Sequence, residues 1–347
     1  MTFSNSLIIW YLQNKRDLPW RNTTNPYPIW LSEIILQQTR VAQGMPYFYA
    51  FLNQFPTVEH LAQADEQQVL KLWQGLGYYS RARNLYQTAQ YIVNELGGVF
   101  PDTYIGLLQL KGIGAYTAAA IASFAYNEPV PVVDGNVFRV LSRYFGIESD
   151  ISTGKTKKEF TALAAELLPK DKPALFNQAI MEFGALQCVP KSPNCNECVF
   201  NSSCVALQKG KVGELPVKSK KLKVSHRYFN YIVVNDAIGN TIIQQRTDKG
   251  IWYNLYEFPL IETQQEEGFE TIASLIQKDA SFGASVVRIQ EVNPISIIHK
   301  LSHQHLNIKF WKVTLDCILD DGVTDEEVKT FPFPIVIHNF IEATRAE

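Results

Sequence analysis

The chain has 347 residues, 46% of them hydrophobic, which is enough for two well-filled cores because single domains usually run about 100–200 residues. Its formal net charge of -2 excludes a uniformly basic nucleic-acid binder, yet residues 1–225 carry 22 Lys+Arg against 17 Asp+Glu while residues 226–347 carry 10 against 17. Only the first part has an electrostatic reason to approach a polyanion, and a weak one.

The opening MTFSNSLIIW has no basic front with an apolar run and a small-residue cleavage site, and no stretch reaches the ~18 apolar residues of a membrane span. A soluble cytoplasmic protein is expected. From 26 to about 187, apolar residues recur at three and four between Pro and Gly punctuation, so this stretch reads as helical. Within it, Glu33 sits in the strongly apolar IWLSEIILQQT, where an acid either caps a nearby group, faces a solvent channel or is partly buried with a raised pKa. LKGIGAYTAAAIASFA at 110–125 places Gly112 and Gly114 in a tight turn between two helices, the second of which would point unpaired N–H groups at a phosphate. An ordinary helical turn is the plainer reading of the same residues. Asp134 follows PVPVV and precedes Gly135 and Asn136, in the position of a helix N-cap or of an anion facing a ligand.

Cys188, Cys195, Cys198 and Cys204 form C-x6-C-x2-C-x5-C, four soft thiolates that could hold tetrahedral zinc or a [4Fe–4S] cluster. Cys317 reads as a small core residue. The next segment, 209–225, holds six lysines and one Glu with Gly and Pro, and reads as a basic linker. Beyond it the period moves toward 2 in YFNYIVVND, NTIIQQR, SIIHKLS and IKFWKVTLDCIL, which predicts a mostly antiparallel sheet, with GFETIASLIQKD as its helix. His299, His303 and His305 alternate toward one face, but no acid completes a local zinc set.

These motifs, in this order, resemble the adenine glycosylase branch of the endonuclease-III, helix-hairpin-helix superfamily, and the resemblance covers nearly the whole chain. It implies an all-α glycosylase domain over 1–208, with the hairpin at 110–125 and an iron–sulfur loop at 188–204. The linker of 209–225 and an α+β Nudix-like domain over 226–347 would follow. The strand-cleaving members carry a lysine where this sequence has Tyr116, and a phenol cannot form a Schiff base with the sugar. The resemblance therefore implies a monofunctional enzyme, with weak or no lyase activity, that hydrolyses the N-glycosidic bond of adenine opposite 8-oxoguanine or guanine in base excision repair. Glu33 would protonate adenine N7. Asp134 would stabilise the oxocarbenium ion, electrostatically or through a transient covalent bond, with Tyr116 and Asn136 orienting both.

By the same resemblance, the four cysteines hold a structural [4Fe–4S] cluster, and Trp20, Arg21 and Trp30 line or close the adenine pocket. Gln38, Thr39, Leu76 and Tyr78 wedge beside the estranged guanine, and Leu301, Ser302 and His303 read 8-oxoguanine. Leu301 departs from the aromatic usual there. Arg81 and Arg83 read as phosphate contacts, and LIETQQEEGFETI lacks the spaced glutamates of a working Nudix box, so no diphosphate hydrolysis and no obligatory magnesium are expected. The expected partner is double-stranded DNA holding such a mispair, bound by a monomer associated with the nucleoid. The competing readings are a pyrimidine-specific glycosylase/lyase of the same superfamily and a non-catalytic DNA-binding protein.

Overall fold

The computed structural model describes residues 2–219 and 224–345; positions 220–223, part of the basic linker, lie outside the described residues. The chain divides into one unit of Met1–Gln63 with Asn84–Lys220 and another of Ala64–Arg83 with Lys221–Glu347. The helices of the first half are α1 (Phe3–Asn14), α2 (Pro26–Ile35), α3 (Val41–Gln54), α4 (Val58–Gln63), α5 (Glu66–Leu72), α6 (Ser80–Leu96), α7 (Tyr104–Leu107), α8 (Ala115–Tyr126), α9 (Gly135–Phe145), α10 (Gly154–Leu167), α11 (Pro173–Leu186) and α12 (Val205–Gln208). Among the described residues no helix is long and apolar enough to cross a membrane.

Local chemistry sets the helices that matter for the site. Asn25 caps α2 by accepting from Tyr27 N, and Pro26 occupies the first turn, where its missing N–H costs nothing. Eight of the ten residues of α2 are buried, as expected of a helix that is apolar all round, so the carboxyl of Glu33 is carried into the interior. The alanines of α8 let it pack closely beside α2 and α11. Helix α11 starts at Pro173 and buries Phe176, Ile180 and Phe183 against Phe3, Leu7 and Tyr11 of α1 and Val137, Val140 and Leu141 of α9. Buried Asn177 accepts from Val132 N at 3.1 Å and donates to Val130 O at 2.8 Å, fixing the extended run that delivers Asp134.

The second unit contains β1 (Ser225–Asn235), β2 (Gln244–Gln245), β3 (Tyr256–Glu257), β4 (Leu260–Thr263), α13 (Phe269–Gln277), β5 (Val286–Glu291), β6 (Ile297–Lys300), β7 (Gln304–Leu315), α14 (Asp325–Val328) and α15 (Ile335–Arg345). The sheet runs β4-β1-β7-β5, with β6 also on β7. Its longest pairing, β1 with β7, is parallel over eleven residue pairs, while its other three pairings are antiparallel, as the sequence predicts for most of the sheet. The middles of both central strands, Phe229–Ile232 and Ile308–Trp311, are buried on both faces, as in the core of a covered sheet. Ile232, Val234, Trp311 and Val313 pack under Ile272 and Ile276 of α13, with Cys317 against this core. NTIIQQR supplies only the short β2 and a bridge from Thr241 to Val323.

Ala64–Arg83, which reads as one more helical piece, belongs to this second unit. Gln74 Oε1 accepts from Phe333 N at 3.0 Å, Lys71 Nζ donates to Phe331 O at 2.9 Å, and Gln67 donates to the Tyr256 hydroxyl at 2.9 Å. These partners are more than 180 residues away in sequence, so no local pattern announces them.

Candidate active site and cysteine cavity

Three helices of the first unit bring the expected catalytic groups together. Glu33 of α2 is 7% exposed and accepts a 2.6 Å hydrogen bond from the hydroxyl of Tyr116, the second residue of α8. Burial, with the nearby Asp134 adding to it, raises the Glu33 pKa to about 7 against the opposing pull of Tyr116 and Arg21. At neutral pH the group is poised between donor and base, as proton transfer requires. The Tyr116 phenol, buried beside two carboxyls, is pushed well above its ordinary value and stays a hydrogen-bond donor.

Asp134 takes the N-cap position that the sequence allowed. It caps α9, with Oδ1 accepting from Val137 N at 2.7 Å, while Oδ2 accepts from Asn136 Nδ2 at 2.7 Å. Burial raises its pKa, but these donors and the nearby Arg139 favour the anion. The pocket therefore raises both carboxyls, and the extra donors on Asp134 oppose that rise.

Two arginines that sequence reasoning passed over extend this arrangement. Arg139 donates to Asn136 Oδ1 at 2.8 Å, to Gly184 O at 2.6 Å and to Cys188 O at 2.7 Å. One turn on, Arg143 donates to Val189 O at 2.8 Å, to Pro190 O at 3.0 Å and to Cys188 Sγ at 3.5 Å. Helix α9 thus begins at Asp134 and is pinned by two guanidinium groups to the start of the cysteine loop. Gly184 lets α11 pass close by, since a Cβ there would lie 2.6 Å from the Asn136 Cβ. The available signal was a pair of arginines at i and i+4 in FRVLSRYF, on a face otherwise apolar.

Arg21 is fixed by buried Glu182, which accepts from it at 2.7 Å and from Arg16 at 2.6 and 2.8 Å. Although burial opposes it, these donors hold Glu182 down at about 2, so it stays charged beside the site. Glu182, an acid in the apolar IMEFGAL, carried the same sequence signal as Glu33 and was missed. Trp20 packs edge-on to Phe48 at 5.0 Å, and Trp30, 1% exposed, packs on Phe100 at 5.4 Å, so both tryptophans sit in aromatic core. Gln38, exposed, turns the chain after α2 with φ +57°, and Thr39 Oγ1 donates to Gln37 O at 3.4 Å. In the hairpin, Gly112 is required: its φ is +74° and a Cβ would meet Asn84 at 2.6 Å. Gly114 has ordinary φ and open space around it, and no side chain caps the start of α8.

All four motif cysteines line one cavity, walled by Val140, Tyr144, Phe183 and Phe200. Burial raises the thiol of Cys188, opposed by Arg143, and raises that of Cys198 to about 11, with the neighbouring thiols adding to it. Phe200 N donates to Cys198 Sγ at 3.5 Å. Soft donors in an apolar wall with N–H groups directed at sulfur suit a thiolate-bound metal group, whose positive charge would offset the cost of ionising them. Among the described residues no three His, Cys, Asp or Glu side chains are arranged to hold a single metal ion.

In the second unit, Leu301, Ser302 and His303 form the tip of the β6–β7 hairpin, with Ser302 and His303 exposed. Tyr78, 48% exposed with φ +47°, shares a hydrogen bond with the Ser302 hydroxyl, so a wedge candidate and a reader candidate meet. Leu76 is buried. The two arginines expected on phosphates are engaged otherwise: Arg83 donates to Tyr253 O at 2.7 Å, and Arg81, 9% exposed, donates to Leu76 O at 3.2 Å.

Residues 31–170 match the model of the HhH-GPD superfamily of base excision DNA repair proteins, and residues 230–343 match a NUDIX domain. The chain is 35% identical over 307 residues to the adenine DNA glycosylase of Buchnera aphidicola, covering 88% of this chain and 85% of that one. The chain belongs to the adenine DNA glycosylase family. The mouse adenine DNA glycosylase is 34% identical over 366 residues, with 90% of this chain and 71% of that one covered. A solved thermostable thymine-DNA glycosylase is 30% identical with a TM-score of 0.55, over 60% of this chain and 95% of that one.

For this member of the adenine DNA glycosylase family, a buried acid at the site has a measurable stability cost. Because the folded-state pKa of Glu33, about 7, exceeds the ordinary 4.5, the fold binds the proton more tightly than the unfolded chain. That contribution is complete below pH 4.5 and is lost as pH rises through 7, a difference of about 3 kcal/mol. Glu33→Gln should therefore be more stable than wild type at pH 8.5, with the advantage shrinking toward pH 5. Urea unfolding at the two pH values checks this, and an advantage independent of pH would contradict the raised pKa.

Proposed function

We propose that this chain is a monofunctional DNA glycosylase that hydrolyses adenine from duplex DNA where it is mispaired with 8-oxoguanine or guanine. The observation that carries the reading is the pairing of Glu33, buried and bonded to Tyr116, with Asp134, held by two N–H donors. The neutral Glu33 carboxyl donates its proton to adenine N7, which turns the base into a neutral leaving group as the C1′–N9 bond breaks. The Asp134 carboxylate faces the oxocarbenium-like sugar, and water then adds at C1′, giving its proton to the Glu33 carboxylate left by the first step. A covalent bond from Asp134 to C1′ is the alternative form of the same stabilisation. Asn136, itself held by Arg139, keeps the aspartate aimed. The uncapped start of α8 and the open space at Gly114 suit a backbone phosphate.

Tyr116 stands where strand-cleaving relatives carry an amine, so the product is an intact abasic strand. Denaturing gels run before and after alkali test this: breaks should appear only after alkali. Full cleavage without alkali would favour the pyrimidine-type glycosylase/lyase.

Cys188, Cys195, Cys198 and Cys204 would hold a [4Fe–4S] cluster, which would supply structure to the loop between α11 and α12 rather than a reacting group. The purified protein should be yellow-brown, absorbing broadly in the violet to blue, and Cys198→Ser should lose that colour together with folding yield and DNA affinity. A colourless, folded, active protein holding stoichiometric zinc would contradict the cluster.

A further inference from the structure

We infer that Arg81 is a positioning residue that holds the Gly75–Tyr79 loop in its wedging shape, and is not a phosphate contact. The inference rests on the reading that this chain engages a purine mispair, and it concerns which residue shapes the wedge.

The loop needs holding. Gly75, Gly77 and Tyr78 all have positive φ, at 100°, 69° and 47°, and a tyrosine pays strain there that glycine does not. Arg81 supplies the restraint from within the same unit. Its Nη2 donates to Leu76 O at 3.2 Å and to Gly77 O at 3.3 Å, while its backbone N–H donates to Tyr78 O at 2.9 Å. The guanidinium lies 5.0 Å from the ring of fully buried Trp73 and 5.8 Å from the ring of Tyr78. Trp73 Nε1 donates to Gly77 O at 3.0 Å, so one carbonyl receives both partners of the stack. One guanidinium nitrogen that binds two successive carbonyls, in a flat group that lies over two aromatic rings, fixes Leu76 and Tyr78 together. The same engagement leaves the group 9% exposed, which is unsuited to neutralising a phosphate. Lysine, a point charge on a flexible stem, reproduces a phosphate contact but not the flat group over the Trp73 and Tyr78 rings with a nitrogen on both carbonyls.

The test measures binding of the full chain to two duplexes over a range of salt: one with a non-hydrolysable adenine analogue opposite 8-oxoguanine, the other undamaged. The expectation for both Arg81→Lys and Arg81→Gln is a loss on the order of tenfold on the lesion duplex. The undamaged duplex should change little, and the slope of log Kd against log salt should stay as in wild type. Near-wild-type lesion binding by Arg81→Lys would overturn the inference. So would an equal loss on both duplexes with Arg81→Gln flattening the slope by about 0.9, the signature of one phosphate. One measurement needs no variant: in 15N-labelled wild type the Arg81 guanidinium protons should exchange slowly and keep their shifts when undamaged duplex is added. Fast exchange, or a large shift on undamaged duplex, would count against the inference. Absence of lesion preference in wild type would instead sink the underlying functional reading, so the two failures are distinguishable.

Discussion

Replacing Glu33 with Gln should lower single-turnover adenine release by about 10²–10⁴-fold, the usual worth of general acid–base help. Gln preserves the shape of a side chain packed inside α2 and still offers an oxygen to the Tyr116 hydroxyl, which lies 2.6 Å from the carboxylate. Only the titrating proton is lost. The wild-type rate should fall as pH rises through about 7, because the protonated donor is depleted above its pKa. The variant should lack that limb, and its duplex affinity should stay near wild type. Release by Glu33→Gln at the wild-type rate would remove Glu33 from the role of proton donor.

Asp134→Asn separates charge from structure more cleanly still. Asparagine is as good an N-cap as aspartate, so the bond from Val137 N and the start of α9 should survive, with thermal stability little changed. What disappears is the anion against the developing cation, a loss of roughly 10²–10³-fold by analogy with other oriented electrostatic contacts. The pair of outcomes is informative: a variant that melts like wild type but releases no adenine assigns Asp134 to chemistry, whereas matched losses of stability and rate would reduce it to a cap.

What could be read ahead of the structure follows the range over which physics acts along the chain. Asp134 was legible because N-cap grammar is local, and the four cysteines because ligand spacing is local. Glu33 was ambiguous on its own residues, since periodicity does not say whether an acid in an apolar helix escapes to solvent; the burial of both faces of α2 decides it. Arg81 shows the converse. Sequence displays a positive charge beside the proposed wedge residues but not the carbonyls of Leu76 and Gly77 that engage it. The parallel pairing of β1 with β7 and the attachment of Ala64–Arg83 to the strand-rich unit both join segments far apart in sequence, so no window could reveal them. Arg139 and Glu182 were readable in principle, as charges placed on apolar helix faces, and their partners were not.

The central claim is tested most directly by single-turnover base release from matched duplexes carrying A opposite 8-oxoguanine, G, C or T, together with 8-oxoguanine opposite C. The expected result is free adenine from the first two, fastest opposite 8-oxoguanine, with little from A opposite C or T and no release of 8-oxoguanine. Excision of 8-oxoguanine itself, or no adenine from any duplex by a folded, fully loaded protein, would contradict it.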